Sequence, residues 1–223
     1  MIVTIDGPAG AGKSSVATLL AGRLGVGHLD TGAMYRALAW LAAEKGVSPD
    51  DGPGLAALAR SNPIELSTTP DGARVRVAGG DVTEAIRRPA ISETVSQVAA
   101  HAEVRAVMVG EQQRLMASGD WVADGRDVGS AVCPDATIKV YLTASEDERA
   151  RRRHADLATR GVRLDEREVL EEVRRRDRLD SERAESPLRV PEGAVVIDSS
   201  ALDAEAVVDR IAGMVARGAE AAS

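Results

Sequence analysis

The sequence has no phenylalanine and little of the other aromatic residues or of cysteine: two tryptophans, two tyrosines and one cysteine among 223 residues. A core without phenylalanine has to be built from valine, leucine, isoleucine and alanine, so we expect aliphatic packing. The single cysteine, Cys133, excludes an intramolecular disulfide, and this composition favours a reducing cytoplasm. We expect Cys133 to be a packing residue, because no basic residue adjoins it in the sequence.

Long apolar runs and an excess of positive charge are also missing. The longest apolar run, residues 37–43, is far shorter than the roughly 20 residues that cross a membrane. The N-terminus shows no basic region followed by an apolar stretch, so we expect no signal peptide. The net charge of -7 disfavours a nucleic-acid partner.

Lysine is scarce, and arginine replaces it. Only Lys13, Lys45 and Lys139 occur, against 25 arginines, thirteen of which lie within residues 149–189. The planar guanidinium binds phosphate and carboxylate through bidentate pairs of hydrogen bonds, which lysine cannot form. Ten acidic residues share that stretch, so ion pairs on solvated helix faces account for many of these arginines.

Short β-branched runs alternate with helical patterns along most of the chain. Residues 2–5 indicate a buried parallel strand, and a glycine-rich turn then leads into a helix over 14–24. Similar runs at 121–123, 138–142 and 194–197 are each followed by a turn signal and a helical pattern. This order predicts an α/β fold with a central parallel sheet covered on both sides, as in the three-layer P-loop proteins.

One stretch, residues 63–89, departs from this alternation of strands and helices. Apolar and polar residues alternate on both sides of Asp71-Gly72, a hairpin signal, and Gly79-Gly80 indicates a second turn. We predict a small antiparallel β insertion here. A long helical pattern then runs from about 91 to 117.

The glycine-rich turn after the first strand matches the phosphate-binding pattern G-x-x-x-x-G-K-[ST] in full. Its residues, together with the serine that follows, are Gly7, Pro8, Ala9, Gly10, Ala11, Gly12, Lys13, Ser14 and Ser15. The glycines let backbone N–H groups converge on one anion, and the next helix directs its positive end there. Lys13 supplies a charge for the β- and γ-phosphates, and the Ser14 hydroxyl is a candidate Mg²⁺ ligand. The pattern predicts a bound nucleoside triphosphate.

A second group of phosphate-binding residue types distinguishes the chain from a GTPase, whose N-K-x-D guanine loop is absent. Arg36 lies in the run 30–36, and Arg126 and Asp127 lie in 124–129, after a buried strand. Arg176, Asp180 and Arg183 have helical spacing. The competing interpretations are a turn closed by an Arg126–Asp127 ion pair, and an exposed salt-bridge ladder for the last three. Asp124 is either the group that orients a Mg²⁺-bound water or a plain helix cap.

The three histidines are not spaced in the sequence as metal ligands usually are. His28, His101 and His154 are scattered through the chain, and we expect each to be an ordinary solvated side chain.

Nearly end to end, the sequence resembles the bacterial cytidylate kinases, a family of nucleoside monophosphate kinases. The similar stretches, in order, are IDGPAGAGKS, DTGAMYR, SQVAA with Arg105 after it, ADGRDVG and RRRDRLDSERAESPL. The resemblance implies transfer of a phosphoryl group from ATP, with Mg²⁺, to CMP and dCMP. The nearest alternative is a UMP/CMP, adenylate, shikimate or gluconate kinase. A slowly hydrolysing nucleotide switch is the alternative from another class.

The resemblance also implies a role for each matching residue. Ser96, Arg105 and Asp127 are expected to contact cytosine, and Arg176 and Asp180 the ribose. The monophosphate is expected to lie against Arg36, Arg126 and Arg183, in a pocket that Thr31 and Tyr35 also line. Arg149 and Arg153 are expected on the ATP phosphates, and the catalytic group consists of Lys13, Arg126, Arg153 and Arg183.

The resemblance further implies one P-loop kinase domain over 1–223. Its core would comprise 1–60, 90–148 and 190–223, the monophosphate-binding insertion about 61–90, and the lid 149–164. It implies a cytoplasmic monomer that binds small nucleotides, with neither nucleic acid nor membrane as a partner.

Overall fold

The β-branched run at the N-terminus forms a strand at the centre of a parallel sheet, as its burial pattern requires. In this computed structural model, residues 1–69 and 72–221 are described. The strands, in chain order, are β1 (Ile2–Asp6), β2 (Gly27–Asp30), β3 (Ile64–Thr69), β4 (Gly72–Val77), β5 (Gly80–Asp81), β6 (Trp121–Gly125), β7 (Ile138–Thr143) and β8 (Val195–Asp198). The α-helices are α1 (Lys13–Leu24), α2 (Thr31–Lys45), α3 (Gly52–Ser61), α4 (Pro89–Val98), α5 (Ala102–Leu115), α6 (Glu146–Thr159), α7 (Glu166–Glu182) and α8 (Ala204–Ala221).

The chain divides into two compact units. The first comprises Met1–His28, Gly119–Glu182 and Ser186–Ser223, and the second comprises Leu29–Ser118 and Arg183–Glu185. The β2 strand begins in the first unit and ends in the second.

The larger sheet has the strand order β2-β6-β1-β7-β8. β1 pairs in parallel with β6 and β7, and β7 pairs in parallel with β8. The register sets Asp6 opposite both Gly125 and Tyr141, so the carboxyl ends of three strands meet at one edge. The predicted strands at 2–5, 121–123, 138–142 and 194–197 are confirmed to within two residues. That edge is where α/β sheets bind ligands.

The core of the first unit is aliphatic, as the missing phenylalanine requires. α1 and α8 pack against the sheet, and the fully buried residues at their contact include Leu20, Val208 and Ile211. One sequence interpretation is wrong: no α-helix lies in the described segment between β6 and β7. A single turn of π-helix, Val128–Val132, follows β6 instead.

The second unit contains the small antiparallel sheet predicted from the alternation, with the order β3-β4-β5. The β3–β4 register runs from Ile64 opposite Val77 to Thr69 opposite Gly72. Asp71 of the predicted turn lies outside the described residues. The sheet buries Ile64, Val75 and Val77, and β4 packs against α2.

The helical pattern over 91–117 corresponds to two helices, α4 and α5, so a single helix is the wrong interpretation. The chain is extended at His101 (φ -73°, ψ 124°). Nε2 of His101 lies 2.8 Å from the carbonyl oxygen of Pro49. This tertiary hydrogen bond accompanies the break, and His101 is not simply a solvated side chain.

None of the helices in the described part of the chain is both long and apolar enough to span a lipid bilayer.

Candidate active site

The phosphate-binding loop runs from the end of β1 to the start of α1, and two of its glycines are required by geometry. A Cβ at Gly7 (φ +148°) would lie 1.9 Å from the carbonyl oxygen of Leu142, and one at Gly10 (φ +76°) would lie 2.8 Å from that of Arg149. Both clashes involve backbone, which cannot swing aside. Gly12 at the N-cap of α1 is left-handed and has no side chain to cap the helix, so the first-turn N–H groups can bind an anion.

Lys13 is buried in the first turn of α1, and its Nζ donates to the carbonyl oxygen of Pro8 at 2.8 Å. Burial, followed by the nearby charge of Arg126, holds the pKa of Lys13 well below its usual range. The carboxylates of Asp124, Asp180 and Asp6 act in the opposite direction. Three of these four charged side chains, Arg126, Asp124 and Asp180, are among those that the sequence singles out.

Ser14 is held by a buried carboxylate at the end of β6. Its Oγ donates to Oδ2 of Asp124 at 2.7 Å, and the other oxygen, Oδ1, lies 2.8 Å from Nε2 of His28. The helix-cap interpretation of Asp124 is wrong, since Gly12 caps α1 and Asp127 precedes the π-helical turn.

His28 is a residue that the sequence reasoning missed. The prediction of a solvated histidine is wrong, because its side chain is only 7% exposed. Its ring also approaches Thr18, with Nδ1 3.3 Å from Oγ1. His28 and Asp124 are 96 residues apart, so no local motif could have indicated this pair.

Asp6 anchors the loop that follows β6. Its fully buried carboxylate accepts the backbone N–H groups of Val128 and Gly129, each at 2.7 Å. Burial raises the pKa of Asp6 to about 6, although the N–H bonds from Gly129 and Val128 act to lower it. These bonds position the segment that carries Arg126 and Asp127.

Arg126 does not rely on its neighbour Asp127 to hold its side chain. Its Nε donates to Oδ2 of Asp180 on α7 at 2.8 Å. Asp127 is itself buried. The first unit therefore brings together Arg126 and Asp180, two of the residues predicted to bind the acceptor.

The same face of α7 carries Arg176, and it is not an exposed salt-bridge ladder. Burial, and then the charge of Arg126, lower the pKa of Arg176 to about 10. Its Nη1 is 3.9 Å from Glu172, and its buried Nε has no hydrogen-bond partner among the described residues. α7 ends at Glu182, so Arg183 follows the helix rather than lying on it. Arg183 is buried in the second unit.

Arg149, in the first turn of α6, is held at the phosphate-binding loop. Arg149 donates through Nη1 to the carbonyl oxygen of Ala9 at 3.0 Å and pairs with Asp177 at 2.5 Å. Asp177 also accepts the N–H of Ala9 at 3.3 Å. Arg153 pairs instead with Asp156 and Glu172.

Arg152, which the sequence reasoning passed over, links the loop to the segment after β8. Its guanidinium donates to the carbonyl oxygens of Ala11 at 3.3 Å and Ser199 at 2.6 Å, and its Nε donates to Glu148. These residues line a cavity of about 440 Å³ that Gly12 and Ser15 also border. Four arginines lie within residues 149–153, so the sequence gave no signal to separate this role from that of Arg149.

In the second unit, Asp30 caps α2 and orients an arginine. Its Oδ1 accepts the N–H of Ala33 at 2.7 Å, and its Oδ2 accepts Nη2 of Arg36 at 2.9 Å. The Nε of Arg36 is buried with no hydrogen-bond partner in the described residues. Such an atom marks a place where a ligand can bind.

The other predicted residues of the second unit are buried too. The guanidinium of Arg105 lies 5.8 Å from the ring centroid of Tyr35, over its face, and Nη1 donates to the carbonyl oxygen of Ala99 at 3.4 Å. Thr31 starts α2, and Ser96 lies on α4. The cation–π contact fixes Arg105 in this unit.

Comparisons with known proteins show which family the chain is similar to. The family model described as cytidylate kinase matches residues 3–217. The cytidylate kinase of Pelotomaculum thermopropionicum is 50% identical over 218 residues, covering 97% of this chain and 96% of that protein. The cytidylate kinase of Geobacillus kaustophilus is 49% identical over 209 residues, covering 94% of this chain and 93% of that protein.

The fold is shared with a gluconokinase from Sinorhizobium meliloti 1021. The TM-score is 0.51 at 16% identity, with 98% of this chain and 93% of that chain covered. This likeness confirms the predicted α/β fold class and nothing finer. The family model and the two sequence relatives establish more: this chain belongs to the cytidylate kinase family.

Proposed function

We propose that the chain transfers the terminal phosphoryl group of ATP to CMP and dCMP, forming CDP and dCDP. The observation that carries this proposal is the buried group at the sheet edge, where Lys13 lies in the field of Arg126, Asp124 and Asp180. Phosphoryl transfer is catalysed by positioning and electrostatics, and such a group supplies both. The acceptor is already a phosphate oxyanion, so a strong general base is not needed.

The donor phosphates would bind in the loop from Gly7 to Ser15. Lys13 now donates to the carbonyl oxygen of Pro8, and in the complex it would donate to phosphate oxygens instead. Arg149 already lies against Ala9, which supports its role as a phosphate contact. Arg153 would exchange its carboxylate partners for phosphate in the same way.

Mg²⁺ would be held by oxygen ligands, and the residues present fit this requirement. The Ser14 hydroxyl and the Asp124 carboxylate are hydrogen-bonded to each other at 2.7 Å, and such oxygen groups are the ligands that Mg²⁺ prefers. When bound, the ion neutralises charge on the β- and γ-phosphate oxygens. Ser14 would bind it directly, and Asp124 would orient a water on it.

In the second unit, Ser96 and Arg105 would contact the cytosine ring, and Thr31 and Tyr35 would line the acceptor pocket. Arg36 and Arg183 would bind the monophosphate. The buried Nε of Arg36 supports this assignment, since an anion there would satisfy it.

In the first unit, Asp127 would accept a hydrogen bond from the cytosine amino group, and Arg126 would bind the monophosphate. Arg176 and Asp180 would hold the ribose hydroxyls. The buried Nε of Arg176 supports a polar ligand at this position. Lys13, Arg126, Arg153 and Arg183 would stabilise the charge that develops on the transferred group.

The remaining roles concern the whole chain. We propose a cytoplasmic monomer in pyrimidine metabolism, without nucleic-acid or membrane partners, in agreement with its net charge of -7 and small-nucleotide substrates. Residues 61–90 would act as the monophosphate-binding insertion and residues 149–164 as the lid over ATP, both within one kinase domain.

A panel of acceptors tests the proposed function. ADP formation is measured with ATP, Mg²⁺ and each of CMP, dCMP, UMP and AMP, and also with no acceptor. We expect turnover with the two cytidine nucleotides and only background otherwise. Comparable kcat/KM for UMP would overturn the cytosine assignment of Ser96, Arg105 and Asp127, and turnover without an acceptor would instead indicate a hydrolysing switch.

A further inference from the structure

Four side chains form a closed ring of close polar contacts that starts and ends at Ser14. Its Oγ donates to Asp124 at 2.7 Å, and Asp124 lies 2.8 Å from Nε2 of His28. Nδ1 of His28 lies 3.3 Å from Oγ1 of Thr18, which donates to the backbone carbonyl oxygen of Ser14 at 2.8 Å. Both the side chain and the backbone of Ser14 are therefore held by the ring.

The direction of the Ser14 hydrogen determines what its oxygen can do. A hydroxyl that gives a lone pair to a cation must direct its hydrogen elsewhere. Oδ2 of Asp124 accepts that hydrogen, which leaves a lone pair of Ser14 Oγ for a ligand. The function of Ser14 thus depends on the orientation of the Asp124 carboxylate.

His28 fixes that orientation. A carboxylate oxygen only accepts, so Nε2 of His28 is the donor in this contact. The side chains of His28 and Asp124 are 7% and 3% exposed, so little water is available to replace the imidazole. Without this donor, one carboxylate oxygen would lose its hydrogen bond from the ring, and the plane of the carboxylate would be held less firmly.

We propose that His28 is a positioning residue for the donor site, which acts through Asp124 and Thr18 to aim the Ser14 hydroxyl at the cation of Mg²⁺·ATP. This inference rests on the proposed function only in taking Mg²⁺·ATP as the donor. His28 itself touches no reacting atom.

Nucleotide binding measured by calorimetry, with Mg²⁺ and separately with EDTA, tests this role without relying on turnover. In His28→Leu, the affinity for ATP in EDTA should stay within about twofold, because the loop backbone and Lys13 remain. The gain in affinity that Mg²⁺ confers should fall about 10-fold, the effect typical of losing a group that orients a metal ligand. His28→Gln, which keeps an N–H donor, should recover most of that gain.

The matched control is His101→Leu, which removes a histidine hydrogen bond of the same length, 2.8 Å, in the other unit. It should lower the thermal midpoint without changing the Mg²⁺-dependent gain. An equal loss of affinity with and without Mg²⁺ in His28→Leu, or no loss in either condition, would overturn the proposal.

Should the leucine variant fail to fold, the comparison of His28→Gln with His28→Asn decides. The longer amide can reach Asp124, whereas the shorter one replaces only the Nδ1 side of the ring. A wild-type Mg²⁺ gain in Gln with a reduced gain in Asn supports the proposal, and equal gains refute it. Because no acceptor is present, failure of CMP as a substrate would leave these results unaffected.

Discussion

Replacing Asp6 by asparagine tests how the molecule balances burial against hydrogen bonding. The carboxylate is fully buried and accepts N–H groups from Val128 and Gly129 at 2.7 Å each. Asparagine keeps one acceptor oxygen and presents an NH₂ group to the other N–H. One hydrogen bond is lost and one buried donor is left without an acceptor, which costs about 1–3 kcal/mol.

The opposing effect is the cost of keeping a buried carboxylate charged. Burial raises the pKa of Asp6 from 3.8 to about 6, against the N–H groups that lower it. At 1.36 kcal/mol per pKa unit, the charged form is disfavoured by about 3 kcal/mol relative to the unfolded chain. Asparagine avoids this cost, so at pH 7.5 the variant should be about as stable as the wild type.

The pH dependence of stability gives the sharper result. Because the folded pKa of Asp6 lies above the unfolded one, the folded state binds more protons between pH 3.8 and 6. The stability that Asp6 contributes is present at low pH and is lost as pH rises through this window. Of the total of about 3 kcal/mol, about 2 kcal/mol should disappear between pH 4.5 and pH 7.5.

The measurement is the free energy of unfolding in urea, for wild type and Asp6→Asn, at pH 4.5 and pH 7.5. The wild-type advantage should shrink by about 2 kcal/mol, and other titrating groups cancel in the difference. Asp135→Asn, at an exposed carboxyl between β6 and β7, controls for removing one negative charge. An advantage that stays constant would refute the reasoning, and one that grows with pH would mean that the two N–H donors outweigh burial.

Three further variants separate the roles of the two substrates. Arg183→Met should raise KM for CMP and lower kcat, because a charged hydrogen bond to the acceptor phosphate would be lost, and kcat/KM should fall roughly 10- to 100-fold. The affinity for ATP, measured by calorimetry, should be nearly unchanged. An unaltered response to CMP would remove Arg183 from the site. Arg152→Lys should raise KM for ATP about 10-fold and leave KM for CMP within twofold. The reason is that an ammonium cannot donate to the carbonyl oxygens of Ala11 and Ser199 at once, as the guanidinium does. Equal effects on both substrates in steady-state kinetics would argue against this role. In Gly129→Ala, the new Cβ would lie 2.8 Å from Oγ1 of Thr4, so the free energy of unfolding should fall by about 1–3 kcal/mol. Because residue 129 lies in the same loop as Arg126 and Asp127, KM for CMP should rise more than KM for ATP. A rise in KM for ATP alone would contradict a role of this loop in positioning the acceptor.

The fold could be predicted wherever local pattern and tertiary environment agree. The runs at 2–5 and 138–142 are strands because β-branched residues there are buried in the sheet. The break between α4 and α5 could not be predicted, since it coincides with the contact of His101 with Pro49, 52 residues away. The π-helical turn after β6 could not be predicted either, because the carboxylate that accepts its first N–H groups belongs to Asp6, 122 residues before Val128.

The residues of the site also divide into those that local sequence predicts and those that only tertiary contacts reveal. The glycine-rich loop could be located because its glycines are required by local backbone geometry, as the clash at Gly7 shows. His28 could not, because its role arises from a contact with Asp124 across 96 residues. Arg149 and Arg152 lie on one helix, and only the tertiary structure shows that they reach different carbonyl oxygens of the loop, those of Ala9 and Ala11.

The charged groups at the sheet edge are costly for folding, and their cost indicates what they are for. Burial lowers the pKa of Lys13 and of Arg176 and raises that of Asp6, so each is less stable as an ion here than in the unfolded chain. A chain optimised for stability alone would gain by replacing such groups with apolar side chains. A bound anionic phosphate would reverse the balance for Lys13, because its charge would replace the water that the ammonium has lost, and the proposed ribose hydroxyls would give Arg176 polar partners. The carboxylate of Asp6 gains nothing from that anion, and its two bonds to backbone N–H groups explain why a negative charge is nevertheless kept beside the loop.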